Sequence, residues 1–114
     1  MAARAGKLVG TMDLSTSTAV ALNDGSTDRA SMITVQFTGT WTGGTATFQG
    51  TVDGGTSPTW VSVLATPSTS TTAAATATAV GIYRVDATGL SAVRILPPGN
   101  GTGTISVYVR PTIG

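Results

Sequence analysis

Six consecutive residues, Ile33-Thr34-Val35-Gln36-Phe37-Thr38, alternate apolar and polar side chains without a break. Successive side chains on an extended strand point to opposite faces. This period of two therefore puts Ile33, Val35 and Phe37 on a buried face and Thr34, Gln36 and Thr38 on a wetted one. The pattern recurs at Ala46, Phe48, Gly50 and Val52, and again at Ile105, Val107 and Val109. A chain that keeps this period builds antiparallel sheets with one dry face. Residue choice agrees: threonine is the most numerous type, glycine occurs 15 times and glutamate is absent, which favours strands and tight turns over helices.

Turn residues divide the chain into short strands. Gly43-Gly44, following Trp41-Thr42, reads as a hairpin turn, and Asp53-Gly54-Gly55 opens a second connection. Pro58 cannot donate to a ladder, so pairing resumes after it, over residues 60–64. Two consecutive hairpins are predicted. Residues 66–79 are almost wholly Thr, Ser and Ala after Pro67, and Ala73-Ala74-Ala75 is too short to nucleate a helix, so this tract reads as a long flat loop or crossover. Strands follow at 82–85 and 92–96, separated by a turn at Thr88-Gly89. Pro97-Pro98-Gly99-Asn100-Gly101 ends the second of these, and 104–110 forms the last strand. In the first thirty residues, Leu8 to Leu14 and Ala19 to Leu22 are candidate strands, with Asn23-Asp24-Gly25 as a turn.

The sum is seven or eight short strands in an all-β fold, a single antiparallel β-sandwich or jelly roll, with an up-and-down barrel as the alternative. Residues 1–31 read as an N-terminal arm plus possible first strands, and 32–114 as the sandwich core. A chain of 114 residues supports one such domain. With 40% hydrophobic and 10% charged residues it lies outside the composition of disordered chains.

Composition also narrows the chemistry. There is no cysteine and no histidine, which removes disulfides, thiolate metal sites and the commonest general bases. The acids are five aspartates, Asp13, Asp24, Asp28, Asp53 and Asp86, mostly beside turn residues, where aspartate caps backbone amides. Asn23-Asp24-Gly25-Ser26-Thr27-Asp28 alternates oxygen ligands around a glycine as a calcium loop does, but no bidentate glutamate completes it, and an Asx turn is the simpler reading. Thr51 to Trp60 resembles an Asp-box hairpin with extra residues before the tryptophan. One copy cannot make a propeller, so Asp53 is assigned to a turn and Trp60 to packing over the hairpin. No catalytic residue, metal or cofactor is expected.

The cations, Arg4, Lys7, Arg29, Arg84, Arg94 and Arg110, are scattered, and the net charge is +1. Neither a nucleic-acid face nor a polybasic membrane anchor is formed this way, and no apolar run near the N-terminus serves as a signal or membrane span. So little charge suits an assembled state. The candidate partner-binding residues are Ala2, Arg4 and Lys7 in the arm, Trp41, Tyr83 and Tyr108 as amphipathic aromatics, and Arg84, Arg94 and Arg110 as charges alternating with apolar residues inside strands.

From Thr34 to Arg110, about two-thirds of the chain, the sequence resembles a small β-sandwich that recurs among tailed-bacteriophage structural proteins. The resemblance is carried by Val35-Gln36-Phe37-Thr38-Gly39-Thr40-Trp41, by Ala46-Thr47-Phe48-Gln49-Gly50-Thr51-Val52-Asp53-Gly54-Gly55 running on to Trp60, and by Gly81-Ile82-Tyr83-Arg84-Val85. It continues through Gly89-Leu90-Ser91-Ala92-Val93-Arg94-Ile95 and Gly103-Thr104-Ile105-Ser106-Val107. The chain departs from it at Ser57-Pro58 and in the Ala/Thr tract. The resemblance implies a capsid decoration (cement) protein that binds the major capsid protein on the exterior of a virion assembled in the host cytoplasm. It also implies a homo-oligomer, a trimer above other states, and brings no catalytic residues. A tail or head fibre module that binds a receptor or glycan is the alternative.

Overall fold

The computed structural model describes residues 6–22, 30–52 and 58–113. Ten strands follow in order: β1 (Lys7–Asp13), β2 (Val20–Ala21), β3 (Ala30–Gly39), β4 (Ala46–Thr51), β5 (Val61–Ser62), β6 (Ala65–Pro67), β7 (Thr76–Ala77), β8 (Gly81–Asp86), β9 (Ala92–Leu96) and β10 (Thr104–Ile113). They form two antiparallel sheets. Sheet A runs β1-β10-β3-β8-β6; sheet B runs β2-β9-β4-β5, with β7 pairing the same edge of β4 farther along. The all-β sandwich read from the sequence is what the chain adopts, with more strands than the seven or eight expected, because four of the ten have only two or three residues.

The alternation places the core. Ile33, Val35 and Phe37 from β3, Tyr83 and Val85 from β8, and Ile105, Val107 and Val109 from β10 are buried on the inner face of sheet A. Ala46 and Phe48 from β4 and Val93 and Ile95 from β9 meet them from sheet B. Four rings tie the layers together. Phe37 stacks on Phe48 with centroids 6.1 Å apart and meets Tyr83 at 5.4 Å and the edge of Trp41 at 5.8 Å. Aromatic pairs at such spacings add about 0.5–1.5 kcal/mol beyond the area they bury.

Two expectations about connections are corrected. Gly43-Gly44 is not a hairpin turn: β3 pairs with β10 and β8 in sheet A, whereas β4 pairs with β9, β5 and β7 in sheet B, so the chain changes layer there. The second expected hairpin does form, between β4 and β5, through Gln49↔Ser62 and Gly50↔Val61. Of the two readings of the Ala/Thr tract, loop or crossover, the crossover holds, since the tract passes from sheet A to sheet B, but it is not a plain loop. It contributes β6, which pairs with β8, and β7, which pairs with β4. Residues 7–22, read partly as an arm, supply an edge strand to each sheet.

The layer change is closed by a crossing of three backbone segments. Thr42 and Thr102 exchange both backbone hydrogen bonds, at 2.9 and 2.8 Å, while Leu14 donates to Gly103 and accepts from Gly101, both at 3.0 Å. The residue 101–103 segment thus lies between two other backbones. At Gly103, φ is +128° and an added Cβ would fall on the Thr40 carbonyl oxygen, so only glycine fits.

Candidate binding faces

With the apolar half of each strand committed to the core, the outer face of sheet A is set by the alternate residues. The register aligns Leu8, Tyr108, Gln36 and Ile82 in one row across four strands, and Arg110, Thr34, Arg84 and Thr66 in the next. Leu8 is 50% exposed, Leu64 58%, Met32 38% and Ile82 37%, so large apolar side chains stand singly among threonines and two arginines on a broad face. At the β6 side, Met32, Leu64, Thr66, Ala73, Arg84 and Asp86 line an open hollow of about 430 Å³. A second open hollow, about 480 Å³, lies between the edge strands β1 and β2, floored by small residues such as Gly10, Thr11 and Ala21.

The outer face of sheet B carries a tighter constellation. Arg94 on β9 is the register partner of Gln49 on β4 and of Ala21 on β2. Its Nε donates to Gln49 Oε1 at 2.8 Å, and its guanidinium carbon lies 4.2 Å from the centroid of the Trp60 ring. Trp60, assigned from the sequence to packing over its hairpin, has Arg94 of β9 as its stacking partner, which the sequence did not suggest. Trp60 and Arg94 are 34 positions apart, and Trp60 leads into β5, which is not a direct neighbour of β9. Only the β4–β9 register discloses the meeting.

The sequence-derived candidates divide by position. Lys7, Arg84 and Arg110 are exposed and Tyr108 is half-buried, all on β1, β8 and β10 of sheet A. Arg94 is half-buried on sheet B. Trp41 is half-buried, its ring edge against Phe37 and its indole N–H donating to the Gly44 carbonyl at 3.4 Å. Tyr83 is buried, and its hydroxyl donates to the Ala79 carbonyl at 2.8 Å. Its ring therefore belongs to the core and offers no surface. Ala2 and Arg4 lie outside the described residues, as do the Asn23 to Asp28 loop and Asp53.

Asp13 and Asp86 hold turns. Asp13 Oδ1 accepts from the Ser15 hydroxyl at 2.7 Å and from its backbone N–H at 3.0 Å, which lowers the carboxyl pKa below its ordinary value. Asp86 Oδ1 accepts from the Thr88 N–H at 3.1 Å. Among the described residues no three His, Cys, Asp or Glu side chains gather where they could hold a metal ion. No described helix is long and apolar enough to cross a membrane.

No protein-family model matches the chain, and no curated protein matches its sequence. Among solved structures, the fold is similar to that of the SPBc2 prophage-derived protein YomS, with a TM-score of 0.53 over 82% of this chain and 92% of that one, at 15% identity. The likeness is one of fold, and it spans most of both chains.

Proposed function

We propose that this chain is a structural protein of a phage particle, a decoration or cement protein that binds between subunits of the major capsid protein on the outside of the head. The observation that carries the reading is the fold likeness, over most of the chain, to a prophage-derived protein. The resemblance of residues 34–110 to phage sandwich proteins points the same way. The face of sheet A suits such work. Leu8, Met32 and Ile82 each offer an apolar contact, yet the threonines between them keep the uncovered face wettable. Single contacts of this size are weak, and repetition on a lattice or within a homo-oligomer, a trimer in our reading, makes them effective.

The mechanism is adhesion without turnover: a rigid two-layer scaffold holds a broad surface, and neighbouring coat subunits are clamped by sharing it. The fibre alternative would use the half-buried Trp41 as a stacking shelf, with its ring braced on Phe37.

Purified protein mixed with undecorated capsids tests the reading. It should co-sediment with the shells and raise their melting temperature, and Ile82→Arg with Met32→Arg should abolish both effects while circular dichroism stays unchanged. Absence of binding, or binding that leaves shell melting where it was, refutes the cement function. Glycan binding without capsid binding would put the fibre module in its place.

A further inference from the structure

We propose that Arg94 is a pre-set docking point for a carboxylate on the outer face of sheet B, and that the carboxylate is an aspartate or glutamate side chain of a partner protein. Within Ala92-Val93-Arg94-Ile95-Leu96 the period of two buries Val93 and Ile95 and turns Arg94 outward. An arginine in that position ordinarily sweeps through solvent. Here two contacts fix its plane: the Trp60 ring beneath the guanidinium at 4.2 Å, and the Nε bond to Gln49 at 2.8 Å. The guanidinium carries five N–H donors in a rigid fork. Nε–H is occupied, and the Nη hydrogens have no hydrogen-bond partner among the described residues.

The edge left free presents one N–H from each Nη, parallel and coplanar, which is the geometry that grips both oxygens of a carboxylate. On the β2 side the neighbour in register is Ala21, an exposed residue too short to cover that edge. Ordering a long side chain is one of the costs of making such a bond, and here the fold has already ordered it. Gln49 is neutral, so it orients the guanidinium without cancelling its charge. The occupied Trp60 face selects the source of the carboxylate. A sugar acid would gain most by laying its ring on the indole, and the guanidinium is already there. A nucleic acid would need a row of cations, whereas this fork stands alone on its row, between Ala21 and Gln49.

The identity of the partner as a coat subunit rests on the proposed cement function; the carboxylate chemistry does not. The test uses a Trp41→Phe background, in which Trp60 is the one tryptophan, and follows both its emission and the Arg94 Nε–H resonance. Hexaglutamate, glucuronate and chloride are titrated at constant ionic strength. Hexaglutamate should give a saturable change in both signals, and chloride none. Arg94→Lys, which keeps the charge and loses the fork, should weaken the response at least tenfold. Gln49→Glu should do the same with the arginine intact, because its own carboxylate takes the guanidinium. No response to hexaglutamate, a response undiminished in both variants, or a response to glucuronate alone overturns the proposal. Hexaglutamate binding by a protein that ignores capsids would keep this site and remove the cement reading. Capsid binding with no hexaglutamate response would do the reverse.

Discussion

Replacing Gly103 by alanine, with Gly43→Ala as its control, separates two penalties that are usually confounded. Both glycines have positive φ, +128° and +73°, but an added Cβ meets nothing within 4 Å at Gly43, whereas at Gly103 it lands on the Thr40 carbonyl oxygen. Gly43→Ala should therefore pay only for backbone conformation, roughly 1–2 kcal/mol, less about 0.4–1 kcal/mol returned through a stiffer unfolded chain. Gly103→Ala carries the conformational term plus an overlap that must be relieved by moving backbone, typically about 1–3 kcal/mol. The segment that would move is held by the paired Thr42–Thr102 bonds and by Leu14, each worth about 0.5–1.5 kcal/mol net. The total is about 3–6 kcal/mol, a large part of the roughly 6–17 kcal/mol expected for a domain of this length. In urea, at a slope of about 2 kcal/mol/M, the midpoint should fall by roughly 2 M for Gly103→Ala and by less than about 0.8 M for Gly43→Ala. Midpoints that agree within about 0.3 M would refute the close approach of the backbones.

Asp13 supplies a pH test. Its bonds from the Ser15 hydroxyl and backbone N–H lower its pKa in the folded state, so the fold favours the ionised form. That contribution is present above about pH 4 and is lost as pH falls through the folded pKa. The urea-midpoint gap between wild type and Asp13→Asn should shrink from pH 7 to pH 2.5, and a constant gap counts against it. Burial raises the Tyr83 pKa, so the fold favours its neutral form; the contribution holds below about pH 10 and is lost as pH climbs through the folded value. Tyr83→Phe should lower stability by about 0.5–1.5 kcal/mol at pH 7 and flatten the alkaline decline, seen by denaturation at pH 7 and pH 11. Phe37→Leu removes a ring that meets Trp41, Phe48 and Tyr83 and should lower stability by about 2–3 kcal/mol. The melting temperature should then drop by roughly 8–15 °C in calorimetry, and a drop under about 3 °C would mean the ring cluster is not packed as described.

The strands with clean alternation were legible because burial on one face writes itself into every second residue. Ile33, Val35 and Phe37 face the core and Thr34, Gln36 and Thr38 do not, as the period requires. Layer changes leave no such trace. Gly43-Gly44 has the residues of a hairpin, and nothing local reveals that Thr42 will bridge to Thr102 instead of the following strand turning back on its predecessor. The two-residue strands β5 and β7 are shorter than any period, so only their neighbours identify them. Val52 illustrates the limit of the pattern: it is in phase with Ala46 and Phe48 but lies past the end of β4 and is 71% exposed. For the candidate faces, Arg84 and Arg110 were legible as outward charges. Tyr83 was not legible as core, since a tyrosine beside an arginine suits either side of a sheet. The Trp60–Arg94 stack depends on long-range register, which a single sequence does not encode in any window.

The placement of β10 bears on how the molecule acquires its shape. It follows the other nine strands in sequence, yet it sits between β1 and β3 and, among the described residues, is the one strand that joins β1 to the rest of sheet A. The segments before it therefore remain with one layer split, their apolar sides uncovered, until β10 fills the gap. Closing such distant partners is slow, on the scale of milliseconds to seconds for all-β chains, and the interval is when a nascent neighbour could intrude.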